Sequence, residues 1–149
     1  MACRSASATS CARRADRMKI VRGPFTIKRA AEAVCDKMTG LLGRHTPDKV
    51  YSGDLTGTAA GEMMAAGGTV PGSAGYVAIE RVEGELDGRK GTFYLQHYGV
   101  MDRGEGSLKI QVIPDSGTGD LAGLTGEMKI IIAPGGAHSY EFSWDIVAR

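Results

Sequence analysis

The chain has no asparagine, only three cysteines and no long apolar run. Without asparagine it has no N-glycosylation sequon, and its tight turns must rely on glycine and aspartate. Cys3, Cys11 and Cys35 form no CxxC pair and have no histidine at ligand spacing, which argues against a zinc site and a disulfide framework. No segment approaches the ~20 apolar residues that a membrane span requires. We therefore expect a protein of the reducing cytoplasm without a membrane partner.

The sequence also lacks a basic excess in its main part. The first 17 residues hold four arginines and one aspartate, a net charge of +3, which leaves −2 for the remainder of a chain whose total is +1. A fold without a basic face has no electrostatic footprint for nucleic acid, so we expect no nucleic-acid partner. The basic stretch has no continuous apolar region and is a poor secretory signal. We predict that residues 1–17 are a disordered leader and that residues 18–149 form a single domain.

No familiar catalytic signature is present. The sequence contains no GxSxG elbow, no HExxH pair and no Rossmann fingerprint. The glycine-rich run from Ser116 to Asp120 lacks the lysine and the following helix of a phosphate-binding loop, so it is interpreted as a turn. We expect neither a metal ion nor an organic cofactor.

The most informative feature that is present is a repeated turn motif, Gly-acid-Leu-x-Gly. It occurs at residues 53–57, 84–88 and 119–123, each time between runs that alternate apolar and polar residues, in a chain with 22 glycines. Glycine permits the positive φ of tight turns, and the leucine can close the end of a core below the turn. Recurring turns between alternating runs predict an all-β fold, a small closed antiparallel barrel of about eight strands.

The strands can be placed approximately. The first covers Ile20 to Ile27, and the others run over about 49–65, 75–84, 90–100, 106–114, 125–133 and 137–147. Residues 29–42 carry apolar side chains at helical spacing, so a short helix and an irregular crossing are both open there. Pro47 argues against a central strand at its position.

Two hairpins predict which side chains face the interior. A two-residue turn at Asp87-Gly88 pairs Leu86 with Arg89, which puts Tyr76, Glu80 and His97 on one inward face. A turn at residues 134–136 gives a second inward face. It collects His138, Tyr140, Phe142 and Trp144.

Glu80 and His97 are the candidate catalytic residues. A carboxylate in an apolar wall is unfavourable unless it is paired or protonated, and a neighbouring histidine can pair with it. Such a pair can act as a general acid and base, or it can simply tie two strands together. The predicted ligand-binding residues are Tyr76, Glu80, His97, Tyr140, Trp144 and His138.

The chain resembles a bacterial family of uncharacterised domains. The resemblance lies in the run from Tyr51 to Gly57, in Gly75 to Val82, in Phe93 to His97 and in Ser116 to Gly126. It covers about residues 49–147, with weaker support from 20–28, whereas residues 29–42 depart from the family's pattern.

The resemblance implies a fold, and it implies no reaction. The family is similar in fold to allene oxide cyclase, an eight-stranded antiparallel barrel, and the Gly117-Thr118-Gly119 turn is similar to that of the dirigent proteins. It also implies that Glu80, Gln96 and His97 belong to the family's signature. Cyclases and dirigent proteins work without metal or organic cofactor, but none of their catalytic residues has a match in this chain.

Three functions are compatible with these observations. The leading hypothesis is a binding module for a small apolar or amphipathic metabolite held inside the barrel. The second is a cofactor-free isomerase or cyclase that uses Glu80 and His97. The third is a structural barrel that forms a homo-oligomer through outward tyrosines such as Tyr94 and Tyr98.

Overall fold

The computed structural model describes residues 17–148, and the predicted leader lies almost wholly outside this range. Eight antiparallel strands follow one another around a closed barrel, and the eighth pairs with the first. The strands are β1 Lys19–Glu32, β2 Gly43–Tyr51, β3 Leu55–Gly67, β4 Ala74–Leu86, β5 Arg89–Asp102, β6 Glu105–Val112, β7 Leu124–Ile132 and β8 His138–Ile146. The prediction of an all-β, closed antiparallel barrel is confirmed.

The repeated motif closes one end of this barrel. Leu55, Leu86 and Leu121, one from each copy, have no exposed surface. The turns above them depend on glycine, since Gly53 and Gly88 adopt φ of 89° and 81°, values that other residues rarely reach. We call the region around these leucines the closed end.

The registers of both hairpins agree with the sequence prediction. Leu86 pairs with Arg89, Ala78 with His97 and Glu80 with Leu95. In the last hairpin Ile132 pairs with His138. Along the middle of these strands buried residues alternate with exposed ones in β4 and with half-buried ones in β8, as the wall of a barrel with an apolar interior requires.

Two details of the predicted strands are wrong. The expected strand over 49–65 is two strands, because a turn at residues 52–54 separates β2 from β3. Pro47 lies inside β2, where it pairs with Arg29 of β1. The paired residues of β2 and β3 pass from His45↔Met63 to Asp48↔Ala60, so the ladder skips the proline, which has no N–H to donate.

The segment over 29–42 contains no α-helix. Arg29 to Glu32 continue β1, and a 3₁₀ turn over Asp36–Met38 is the helical part of the connection to β2. Its apolar residues do not share a buried face, since Leu41 is 66% exposed. A helix there would have nothing to pack against, so the irregular crossing is the alternative that the structure adopts.

The barrel is least continuous between β6 and β7. Two residue pairs join these strands, Ile110↔Met128 and Gln111↔Glu127. Leu108 and Ile132 lie on the side of this short seam away from the closed end, and they are 44% and 63% exposed. The barrel therefore opens at the end opposite the leucines.

Candidate functional site

A cluster of buried polar side chains lies in the interior of the open half. We call Lys49, Tyr51, Glu80 and His97 the ionic cluster. Lys49, Glu80 and His97 are 5%, 2% and 5% exposed. Charged side chains are almost never buried this fully unless they are paired, so the cluster is an energetic exception within an apolar core.

Three strands bring the cluster together. Glu80 is on β4, His97 is on the adjacent β5, and Lys49 and Tyr51 are successive inward residues of β2. Lys49 Nζ lies 2.9 Å from Glu80 Oε2. The Tyr51 hydroxyl donates to Glu80 Oε1 over 2.8 Å and accepts from Lys49 Nζ over 3.5 Å. Both oxygens of the carboxylate are therefore engaged.

His97 approaches the same carboxylate without a well-formed hydrogen bond. Its Nε2 lies 3.4 Å from Glu80 Oε1. Among the described residues Nε2 is a buried polar atom with no hydrogen-bond partner. Nδ1, the other ring nitrogen, makes no hydrogen bond within residues 17–148, and His97 lines a cavity. The ring thus has one edge towards Glu80 and one nitrogen without a protein partner.

The surroundings keep Glu80 ionised. Burial alone raises the pKa of Glu80, but the contact with His97 and the charge of Lys49 outweigh it and lower the pKa to about 2. The pKa of Tyr51 is raised well above its usual value, first by burial and then by the negative charge of Glu80. Tyr51 therefore stays protonated and acts as a donor, while Glu80 is a carboxylate at neutral pH.

This lowered pKa predicts a specific loss of stability in acid. A carboxyl whose pKa falls on folding stabilises the protein above its unfolded pKa, near 4.5, and loses this contribution as the pH falls towards 2. A difference of this size corresponds to about 3 kcal/mol. Between about pH 6 and about pH 2.5, urea unfolding should show the native protein losing about 3 kcal/mol more stability than the Glu80→Gln variant. Equal losses in the two proteins would contradict the assigned ionisation state.

Three members of the ionic cluster, Lys49, Glu80 and His97, form one wall of a cavity in the open half. The cavity has a volume of about 260 Å³. Its lining is mostly apolar and includes Phe25, Ile27, Pro47, Met63, Ala78 and Ile130. The exposed residues Arg29, Leu108 and Ile132 also line it, and we call them the mouth. The arrangement can hold a small apolar body with a polar group against Lys49 and His97.

The structure brings together four of the six predicted ligand-binding residues. Tyr76, Glu80 and His97 line the cavity, together with His138. The rings of Tyr76 and His97 are 6.4 Å apart. These four side chains therefore share one cavity.

Tyr140 and Trp144 are not part of the cavity lining. The Tyr140 hydroxyl donates to Ser52 O and accepts from Leu55 N, which fixes the turn between β2 and β3. Trp144 is buried deeper in the barrel and pairs with Gly126 of β7. β8 runs from the open half to the closed end, so its inward residues share a face but lie at increasing depth.

Sequence reasoning missed Lys49 and Tyr51. The alternation of buried Pro47, Lys49 and Tyr51 with exposed Asp48 and Val50 is evident only in the structure, because it places a lysine inward and a valine outward. The predicted strand began at residue 49 and ran through the turn, so its two faces were never assigned.

Residues 17–148 contain neither a metal-binding cluster nor a membrane-spanning helix. No group of three or more histidine, cysteine, aspartate or glutamate side chains is arranged to hold a metal ion. No helix in this part of the chain is long and apolar enough to cross a membrane.

Both the sequence and the fold of this chain are similar to those of known proteins. Residues 21–144 match a family model described as a protein of unknown function, DUF3224. The fold is similar to the crystal structure of a protein with unknown function from the DUF3224 family of Shewanella oneidensis MR-1, with 45% identity and a TM-score of 0.83. That match covers 89% of this chain and 99% of the other. No curated protein matches the sequence.

Proposed function

We propose that this chain, which belongs to the DUF3224 family of proteins of unknown function, binds a small, largely apolar metabolite inside its barrel. The observation that carries the proposal is the cavity of about 260 Å³ with apolar walls and a buried ionic cluster on one side. A filled structural barrel needs neither feature. Apolar pockets with a few convergent polar groups are the usual form of small-molecule sites.

The volume limits the size of the ligand. An apolar protein cavity of ~150 Å³ binds benzene, so by proportion the present cavity suits about ten non-hydrogen atoms. At ~0.5 kcal/mol per atom, within the usual range for small ligands, the binding free energy is about −5 kcal/mol and Kd about 0.2 mM. Propiophenone, which has this size and one carbonyl oxygen, is a suitable neutral probe.

Lys49 supplies the polar recognition. Its ammonium group has three N–H donors, and Glu80 and Tyr51 accept two of them. No oxygen or nitrogen acceptor for the third is found within residues 17–148, although the ammonium also lies 5.2 Å from the centre of the Phe25 ring, and Lys49 lines the cavity. A carbonyl or carboxyl oxygen of the ligand would accept this third bond, which is worth more in a desolvated site than in water.

Filling the cavity should abolish binding without unfolding the protein. Ala78 is 8% exposed and lines the cavity, so the ring of an Ala78→Phe variant enters existing space. We expect the melting temperature to stay unchanged or rise, and propiophenone to stop raising it by mass action. Ala60→Phe, on the outer face of β3, is the matched control and should bind as the native protein does. Undiminished binding by Ala78→Phe would place the ligand elsewhere.

A cofactor-free isomerase is the second candidate, favoured by the buried His97, whose Nε2 lacks a well-formed hydrogen bond. Because Glu80 remains ionised, the proton-transferring group would be His97, with Lys49 stabilising a developing enolate oxygen. This activity predicts exchange of the α-protons of propiophenone in D₂O, detected by NMR, faster with the native protein than with His97→Gln. Exchange at the solvent rate with both proteins would exclude this activity and leave ligand binding as the proposed function.

We extend the proposal to a homo-oligomer formed through the outer face of β5. Tyr94 and Tyr98 are 38% and 61% exposed on the outer face of β5, a suitable surface for a homo-oligomer. Sedimentation of the native protein against Tyr98→Lys would test this assembly. The likeness to allene oxide cyclase and the cytoplasmic location remain predictions from the sequence.

A further inference from the structure

We infer that the metabolite is a small apolar carboxylic acid that enters the cavity together with one proton shared with His97. The inference rests on the proposed binding function and specifies the chemical class of its ligand. Three observations support it: the unused atoms of the ionic cluster, the charge of the cavity lining, and the position of Glu80.

The unused atoms are one donor and one acceptor, on two side chains that both line the cavity. Lys49 has one N–H without a protein acceptor, as described above. His97 directs Nε2 at the Glu80 carboxylate, which favours the tautomer with the proton on Nε2. Nδ1 then carries a lone pair and accepts a hydrogen bond. A carboxylic acid complements the two groups, because its carbonyl oxygen accepts from Lys49 and its hydroxyl donates to Nδ1.

The charge of the lining favours the approach of an anion. Arg29 and Lys49 are positive and Glu80 is negative, which leaves one positive charge when the two lining histidines are neutral. Arg29 is at the mouth, where it attracts an anion from solvent. An ammonium ligand would instead meet Lys49 in a site without a free carboxylate oxygen.

Glu80 explains why the proton accompanies the acid. A second carboxylate against Lys49 would lie close to the first, and two carboxylates in one site disfavour double ionisation. A proton between the ligand oxygen and Nδ1 removes this repulsion. The solvent supplies the proton, and no other bond forms or breaks.

The groups that influence this proton lie on several strands. The titratable and charged side chains that face His97 or the same cavity are Arg29 on β1, Lys49 and Tyr51 on β2, Tyr76 and Glu80 on β4, and His138 on β8. The cavity residues Met63, Leu108 and Ile130, from β3, β6 and β7, are apolar.

The test compares phenylacetate with phenylacetamide, two probes of the same size. The amide supplies its own donor and acceptor, so its binding needs no proton. Calorimetry of the native protein in two buffers of different ionisation enthalpy should show uptake of about one proton per phenylacetate and about none per phenylacetamide. Between about pH 7 and about pH 8.5, Kd of the acid should rise about tenfold per pH unit, while Kd of the amide stays constant.

Each outcome separates the inference from the proposed function. Acid binding without proton uptake, or amide binding with no binding of the acid, overturns the inference. Propiophenone binding would then still support the proposed function, and failure of all three probes would remove both. His97→Gln removes the ring nitrogen that shares the proton and leaves the Glu80 carboxylate in place, so phenylacetate should bind about tenfold or more weakly, whereas phenylacetamide binding is retained. Phenylacetate binding by that variant with the affinity of the native protein would overturn the role of His97.

Discussion

Replacing Lys49 by methionine should destabilise the protein by about 3–5 kcal/mol at neutral pH. The substitution leaves an unbranched side chain one atom shorter and removes the charge that lies 2.9 Å from Glu80 Oε2. Glu80 is 2% exposed, so it would become a buried carboxylate without its cation. The free energy of unfolding in urea measures the effect.

Two comparisons separate this effect from a general loss of packing. Lys28→Met, at an exposed position of β1, should change stability by less than about 0.5 kcal/mol. Lys49→Met combined with Glu80→Met should recover most of the loss, because a buried pair replaced by apolar groups of similar volume is often neutral. A double variant as unstable as the single one would contradict the ion-pair explanation.

Replacing Leu86 by alanine should cost about 2–5 kcal/mol. Leu86 has no exposed surface at the closed end, where its side chain belongs to the hydrophobic core with Leu55 and Leu121. The cavity left behind is far from the mouth, so ligand binding should persist in the folded protein. Urea unfolding and a propiophenone titration measure the two quantities.

Leu41→Ala is the control for this substitution. Leu41 is 66% exposed in the connection between β1 and β2, so its truncation removes little buried surface. A change in stability similar to that of Leu86→Ala would mean that the repeated leucines do not close the core.

The sequence predicted the architecture through residues whose role depends on local geometry. Asp87-Gly88 admits a two-residue turn, and that turn determines the partner of every residue in β4 and β5, including Glu80 and His97. The repeated leucines likewise predicted the closed end. In both cases a rule about neighbouring residues determines a contact between residues distant in sequence. Such a contact can therefore be predicted without a structure.

The rest depended on tertiary context. The alternation of apolar and polar residues in β8 predicts that Tyr140 and Trp144 face inward. Their position along the barrel axis depends on the stagger between strands, which the sequence of one strand does not determine. Lys49 resembles a surface lysine in composition, and its burial follows from Glu80 on a strand that is not its sequence neighbour. A helix over residues 29–42 would have no apolar surface of the barrel to pack against. Pairing with β2 therefore decided the conformation of Arg29–Glu32.

The central claim is that the cavity beside the ionic cluster receives a small apolar molecule. An NMR titration with propiophenone tests it most directly, by following the methyl groups of Met63, Ala78 and Ile130 and the ring of His97. The account predicts saturable shifts at these residues, with none at outward-facing Val77 and half-saturation at about 0.2 mM. Shifts confined to the outer surface, or none at several-fold higher concentration, would contradict it.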